Sequence, residues 1–335
     1  MKRVVVTAGR SPLARSVVER LRGDPAIEQV RGVEARPQKD EQDEGELDFV
    51  AFVPDHRPFV EYLEKERIDT VIQCGLVPDR SGLGSKAREA DVIATMCLGA
   101  AIAQEHSSVR SWILASSSDV YPTASHASLL QRERQKIHPE EESLGASIAE
   151  AEEYARDVAH RLPHVNVAIL RLQQLVGATI RGPLASLLAR DPVPTLVGFD
   201  PAIQLLHLED AASALCFAAL EERAGIYNVA SRGILHWHEA IRVTGHGRLP
   251  LLPVSLPLFE PLLERLGLPF VPAQLQDLLR FGHAIDTQKI EAAGWRARYD
   301  QRDCLALLRG DRGGSNSISP PRRRRPSRRH RRPLD

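Results

Sequence analysis

Apolar and polar positions change period repeatedly along the first half of the chain. Val4-Val5-Val6 is a β-branched run that stops at Thr7-Ala8-Gly9, as suits a strand buried on both faces. Pro12 to Arg22 then carries apolar residues at 13, 14, 17, 18 and 21, a helical period with Pro near its N-terminus. The same alternation predicts strands at 29–33, 49–53, 69–75, 111–115 and 165–170, and helices at 59–66, 87–104 and 143–161. Strands alternating with helices imply an α/β fold, a doubly wound parallel sheet with helices on both faces.

After about residue 175 the pattern loosens, with Pro-rich stretches at 183–194 and 248–273. We expect residues 1–175 to form the core and 176–310 to supply the remaining core strands plus a small C-terminal substrate lobe. From Gly313 the chain is low-complexity, and 311–335 is expected to be a disordered Arg/Pro-rich tail.

The 335 residues sum to zero net charge, but residues 311–335 carry nine Arg against two Asp. A globule of net −7 is therefore joined to a tail of net +7. The tail offers electrostatic contact with nucleic acid, yet it has no aromatic residue for base stacking. Only six of the 44 basic residues are Lys, so Arg content alone says little about nucleic acid. No apolar run reaches the roughly 18 residues of a membrane span, and a cytoplasmic protein with no membrane contact is the default expectation. Cys74, Cys97, Cys216 and Cys304 sit apart in apolar stretches and read as buried thiols. His236-Trp237-His238 places its two imidazoles on diverging faces, so no metal site is expected there.

The first strand–helix turn reads Thr7-Ala8-Gly9-Arg10-Ser11-Pro12-Leu13-Ala14. Phosphates at such a turn face backbone N–H groups at a helix N-terminus. Glu34 follows twenty residues after Ala14, at the predicted end of the second strand. Later stretches are Asp55-His56-Arg57, Asp91-Val92-Ile93-Ala94-Thr95, Ser116-Ser117-Ser118-Asp119-Val120-Tyr121, Leu170-Arg171 with Val176-Gly177, Leu206-His207-Leu208-Glu209-Asp210, Tyr227-Asn228-Val229-Ala230, and Asp286-Thr287 with Gly294-Trp295-Arg296.

In this order, these stretches resemble the landmarks of the extended short-chain dehydrogenases/reductases, the NAD-dependent epimerase/dehydratase family, over residues 2 to about 300. The resemblance implies a Rossmann-like fold, NAD as cofactor, a nucleotide or nucleotide-linked small molecule as ligand, and a homodimer built from helices 87–104 and 143–161. On the family register the cofactor-binding candidates are Thr7, Gly9, Arg10, Ser11, Leu13, Glu34, Arg36, Asp55 and Gly75. Glu34 favours NAD through the ribose 2′-hydroxyl, while Arg36 leaves NADP open. The family's TGxxGxxG glycines fall at Ala8, Ser11 and Ala14. Ser11 is expected to intrude on the pyrophosphate, and Ala8 is unfavourable where a positive φ is needed.

The family's chemistry rests on a Ser/Thr and a YxxxK pair, in which Tyr moves a proton while hydride passes to or from the nicotinamide. The matching stretch is Leu144-Gly145-Ala146-Ser147-Ile148-Ala149-Glu150, against the family's frequent YGASKAE. Leu144 holds the Tyr position and Ile148 the Lys position, which leaves Ser117 as a vestigial catalytic residue. A lone Ser hydroxyl is a poor acid or base near neutrality without an activating partner.

Three functional readings follow: a catalytically impaired member acting by binding or regulation; an active enzyme with a displaced acid, for which Tyr121, Asp119 and Tyr154 are candidates; and a nucleic-acid-associated protein acting through the tail. Arg171, Gln174, His207 and Arg232 are polar candidates near the expected cleft, each equally suited to a structural hydrogen bond.

Overall fold

The computed structural model describes residues 1–34, 47–49, 55–76, 85–125, 127–135, 137, 144–252 and 273–309. The expected tail, Arg36 and most of the expected strand at 49–53 lie outside the described residues.

β1 (Lys2–Thr7) leads through a tight turn into α1 (Pro12–Arg22) and β2 (Ile27–Glu34). There follow β3 (Leu47–Phe49), α2 (Arg57–Lys65), β4 (Thr70–Gln73), α3 (Ser85–Ile102) and β5 (Ser111–Ser117). Next come β6 (Leu130–Gln131), α4 (Leu144–Arg161) and β7 (Asn166–Leu172). The later elements include β8 (Leu175–Val176), α5 (Pro183–Leu188), β9 (Val193–Leu196), β10 (Ala202–Ile203), β11 (Leu206–His207), α6 (Leu208–Leu220) and β12 (Gly225–Val229).

The central sheet has seven strands in the order β12-β7-β5-β4-β1-β2-β3, all paired in parallel. The strand order reverses between β1 and β4, the switch point at which such sheets open a crevice at their carboxyl ends.

Successive strand residues point to opposite faces. Val4 and Val6 therefore join α1 and α6 in one apolar cluster, with Ile113, Ala115 and Leu170. Val5 joins α2, α3 and α4 in the other, with Val71, Trp112 and Leu114. Each fully buried Val or Leu contributes about 1.5–3 kcal/mol of transfer free energy. This two-sided burial explains why the strands read as continuous apolar runs.

A further apolar cluster draws only on residues from Val176 to Leu308, among them Leu184, Leu196, Trp237 and Leu279. The Pro-rich stretch at 183–194 contains regular structure that the sequence reading did not assign. Pro183 opens α5 at its first turn, where a missing N–H costs nothing, behind the N-cap Gly182. Pro194 lies inside β9, which pairs in parallel with the strand Arg248–Leu251. No helix among the described residues is long and apolar enough to cross a membrane.

Candidate functional site

The turn after β1 is held from both sides. Gly9 N–H donates to the Val33 carbonyl at 3.1 Å, and Ser11 N–H to the Ala8 carbonyl at 2.8 Å. Ala8 has φ +54°, so the first glycine position of the fingerprint keeps the left-handed backbone a glycine would favour.

Ser11 is the N-cap of α1. Its Oγ accepts the Ala14 N–H at 3.2 Å, and its carbonyl accepts the Arg15 N–H at 3.0 Å. Pro12 has no N–H. Among the described residues this leaves the Leu13 amide as the first-turn donor not used within the chain. The Leu13 side chain is buried in the core, so of this residue only the backbone amide is offered as a cofactor contact. The serine thus occupies the helix N-terminus with its own hydroxyl, a cap that a phosphate oxygen would otherwise supply.

Glu34 ends β2, half-buried, and its Oε2 accepts the Arg10 N–H at 3.3 Å. Thr7 ends β1, buried, in register between Val33 and Gln73. Asp55 stands just before α2, and Arg57 donates to both its oxygens at 2.6–3.1 Å. Those side-chain bonds, with the Arg57 backbone N–H, hold the Asp55 carboxyl down to about 2. Gly75 follows β4, half-buried. Gln73, just before it, donates to Thr95 Oγ1 at 2.7 Å. The turn, Glu34 and Gly75 therefore share the carboxyl end of the sheet.

β5 delivers the serine run to the same edge. Ser117 Oγ donates to Asp119 Oδ2 at 2.8 Å, and the Asp119 N–H returns to Ser117 Oγ at 3.2 Å. Ser118 Oγ donates to Gln173 Oε1 at 2.8 Å, and Ser116 Oγ to Glu152 Oε1 at 2.5 Å.

Across from them runs α4, with positions 144, 148 and 152 one above another. Ile148 is buried and packs in a small apolar cluster with Val120, Tyr121, Ala230 and Ile285. One turn on, Glu152 meets the Arg171 guanidinium at 2.6, 3.0 and 3.2 Å. Arg171 also donates to Tyr121 Oη at 2.9 Å, and Tyr121 Oη donates to Asn228 Oδ1 at 2.7 Å.

The three displaced-acid candidates therefore separate. Tyr121 is committed to Arg171 and Asn228, and burial raises its phenol above the usual value. Tyr154 packs its ring against Gly99 of α3, in the helix layer rather than at the sheet edge. Asp119 alone stands beside Ser117.

The four polar cleft candidates serve the framework. Arg171 is in the buried ion pair, and Gln174 Oε1 accepts the Leu184 N–H at the start of α5 at 2.8 Å. His207 caps α6 through Nδ1 and stacks on Tyr299 at a ring separation of 3.7 Å. Arg232 donates to the Arg298 carbonyl at 3.0 Å.

The sequence reading missed His283. Its ring is buried near Tyr121, with Nε2 lacking a hydrogen-bond partner among the described residues. Burial lowers its pKa, and the charge of Asp119 pulls the other way. The one sequence signal is Gly282, at φ +76°, where a Cβ would meet the Ala202 carbonyl oxygen at 2.5 Å. That close approach sets the register of the segment carrying His283.

Cys74, Cys97, Cys216 and Cys304 are all buried, and burial pushes the Cys216 and Cys304 thiols up to about 12. His236 bonds the Asp200 carbonyl, and among the described residues no three His, Cys, Asp or Glu side chains gather to hold a metal ion.

Sheet order, crevice and turn together define a Rossmann-like α/β protein. A family model described as the NAD dependent epimerase/dehydratase family matches residues 4–230, and the chain belongs to that family. An uncharacterised protein of Mycobacterium tuberculosis (strain ATCC 25618 / H37Rv) is 33% identical over 264 residues, covering 77% of this chain and 68% of that protein. Among solved structures, dTDP-glucose 4,6-dehydratase from Bacillus anthracis in complex with NAD aligns at TM-score 0.66 and 15% identity, covering 92% of this chain and 96% of that one. The UDP-Glc/GlcNAc 4-epimerase from Campylobacter jejuni aligns at TM-score 0.68 and 16% identity, covering 92% and 98%.

Proposed function

We propose that this chain binds a dinucleotide or related nucleotide in the crevice and is impaired in the family's proton and hydride chemistry, acting by binding. Ile148 carries the reading. The position that the YxxxK pattern gives to a lysine holds an aliphatic side chain sealed against Val120, Tyr121, Ala230 and Ile285. No ammonium group stands there to lower a phenol pKa, and Leu144 offers no phenol. General acid–base catalysis typically contributes 10²–10⁴-fold, so its loss leaves little of the usual turnover.

The fit of a dinucleotide is uneven. The left-handed Ala8, the Leu13 amide, Glu34 and Asp55 suit an adenosine diphosphate portion, with Glu34 favouring NAD over NADP. The Ser11 cap and Pro12 thin the donors available to the pyrophosphate. When bound, NAD would supply a hydride acceptor. The solved relatives described in complex with NAD support that choice.

Calorimetric titration of NAD⁺, NADH, NADP⁺ and NADPH into the full chain tests the reading. Micromolar binding without turnover of UDP-glucose or dTDP-glucose is expected. Binding of none of the four would overturn it, and sustained turnover would overturn the impairment.

A second reading keeps the protein an enzyme, with Asp119 as the displaced acid. The 2.8 Å bond from Ser117 favours it. Turnover that vanishes in Asp119→Asn would establish it. The homodimer is proposed to form through α3 and α4, and sedimentation of the full chain tests it. The basic tail, as a site for nucleic acid, predicts binding that falls with salt and disappears on deletion of residues 313–335.

A further inference from the structure

β12 ends the central sheet, and among the described strands it pairs with β7 alone. A strand so placed presents backbone N–H and C=O groups along its outer edge. Two charged side chains take up such groups here. Lys289 Nζ donates to the Ile226 carbonyl at 2.6 Å, and Glu133 Oε1 accepts the Asn228 N–H at 2.9 Å.

Both caps line a cavity of about 490 Å³, within the size range of small-molecule sites. Ile226, also in the lining, is the second residue of β12, three positions before Val229 at the carboxyl end. At about 3.3 Å per residue, this wall stands roughly 10 Å below the end of the sheet that opens the crevice.

The lining is net positive, with Arg132, Arg134 and Lys289 against Glu133 and Asp286. The carboxylates are engaged within the chain. Asp286 accepts Arg132 Nε–H and the Gln288 N–H, each at 3.0 Å, and its side chain is 10% exposed. Glu133 holds Asn228. The cations keep donors to spare. Arg132 commits Nε to Asp286, and its side chain is 48% exposed. Lys289 gives one of its three protons to Ile226 and rests 4.8 Å from the centre of the Tyr227 ring. Arg134 is exposed, with no hydrogen bond or ion pair among the described residues.

Three like charges around one cavity repel each other, and a bound anion relieves that repulsion. Arg132 and Lys289 are already held by bonds of their own, which lowers the entropy lost when a ligand is gripped. The complement to surplus guanidinium and ammonium donors is a compact group of negatively charged acceptors, as phosphoryl oxygens are. No aromatic ring lines the cavity among the described residues, so no stacking face is offered to a nucleobase.

We infer that the outer edge of β12 carries a second ligand site, held by Arg132, Arg134 and Lys289, for a phosphorylated small molecule that has no base. The site goes beyond the crevice reading and does not depend on it.

The test is calorimetry on the full chain with inorganic pyrophosphate, at about 0.15 M salt so that long-range attraction is screened. A Kd below about 1 mM is expected, and it should persist when NAD⁺ is present in excess. Arg134→Gln removes a side chain with no internal bond, so the fold is kept, and it should weaken pyrophosphate by about tenfold or more. An affinity unchanged in Arg134→Gln, or abolished by NAD⁺, would put the anion on the basic tail or in the crevice and overturn the inference. So would the absence of pyrophosphate binding. Citrate, a carboxylate polyanion, should bind more weakly, and citrate as tight as pyrophosphate or tighter would overturn the phosphoryl assignment. Failure of NAD⁺ to bind would count against the crevice reading only.

Discussion

Glu152 of α4 and Arg171 of β7 face each other inside the protein, 2.6 Å apart at their closest atoms, with side-chain exposures of 0% and 2%. Both charges gave up water, and each depends on the other for compensation. Removing one partner leaves a buried charge alone, which costs about 3–5 kcal/mol. Glu152→Ala should therefore lower the unfolding free energy by that amount in urea titration. The double variant Glu152→Leu/Arg171→Met removes both charges and should cost less than Glu152→Ala. A double variant as unstable as the sum of its singles would show that the two residues do not act as a pair.

The dinucleotide-type turn carries two departures that can be reversed separately. Ala8→Gly removes a side chain from a left-handed backbone and should stabilise the fold by about 0.5–1 kcal/mol. Ser11→Gly gives up a cap and should cost only a few tenths of a kcal/mol. It also frees the Ala14 amide, so affinity for NAD⁺ should rise. Thermal unfolding and titration read the two effects independently, and unchanged affinity in Ser11→Gly would show that the serine does not compete with phosphate.

Gly99 lets α3 approach α4 so closely that an added Cβ would overlap Tyr154. Gly99→Ala gains about 1 kcal/mol of helix propensity and loses about 1–3 kcal/mol to overpacking. A net destabilisation is expected. In a Tyr154→Ala background the overlap is gone, and the same substitution should stabilise. The change of sign across the cycle, measured by urea unfolding, is the check.

Burial holds His283 neutral and pulls its pKa below the usual 6.5, against the charge of Asp119. The unfolded chain then binds the proton more readily than the folded one. The stability contribution is fully present above about pH 6.5 and is lost as pH falls through the lowered folded value. His207, lowered by burial, acts in the same direction. Asp210, raised by burial, acts oppositely and only nearer the carboxylate range. The urea midpoint should fall between about pH 7.5 and 5.5, and fall less in His283→Gln. An identical slope in the variant would remove His283 from the account.

β1, β4, β5 and β7 and the helices between them were legible because these strands are apolar on both sides, whereas the expected strand at 49–53 lies mostly outside the described residues and the two-residue β6 was not predicted. Val4-Val5-Val6 and the 13, 14, 17, 18, 21 spacing could hardly be read otherwise. The Pro-rich 183–194 stretch was not legible as structure, because Pro183 at a helix start and Pro194 within a strand look like breakers until their neighbours are known. At the site, the register of Leu144 and Ile148 came from sequence, but the sealing of Ile148 by Ala230 and Ile285 did not. Those contacts join residues more than eighty positions apart. The same distance hid His283 from Asp119, and it hid the commitment of Tyr121 to Asn228.

The polar chain from Ser116 through Glu152, Arg171 and Tyr121 to Asn228 crosses β5, α4, β7 and β12. Asn228 continues it, donating its backbone N–H to Glu133 at 2.9 Å and its side-chain amide to the Gln131 carbonyl at 3.1 Å. An outermost strand ordinarily frays first. This one is bolted through its side chains to the middle of the sheet. Its amides should exchange with deuterium as slowly as those of β5, so that β12, β7 and α4 open as a single cooperative unit instead of peeling away from the rim.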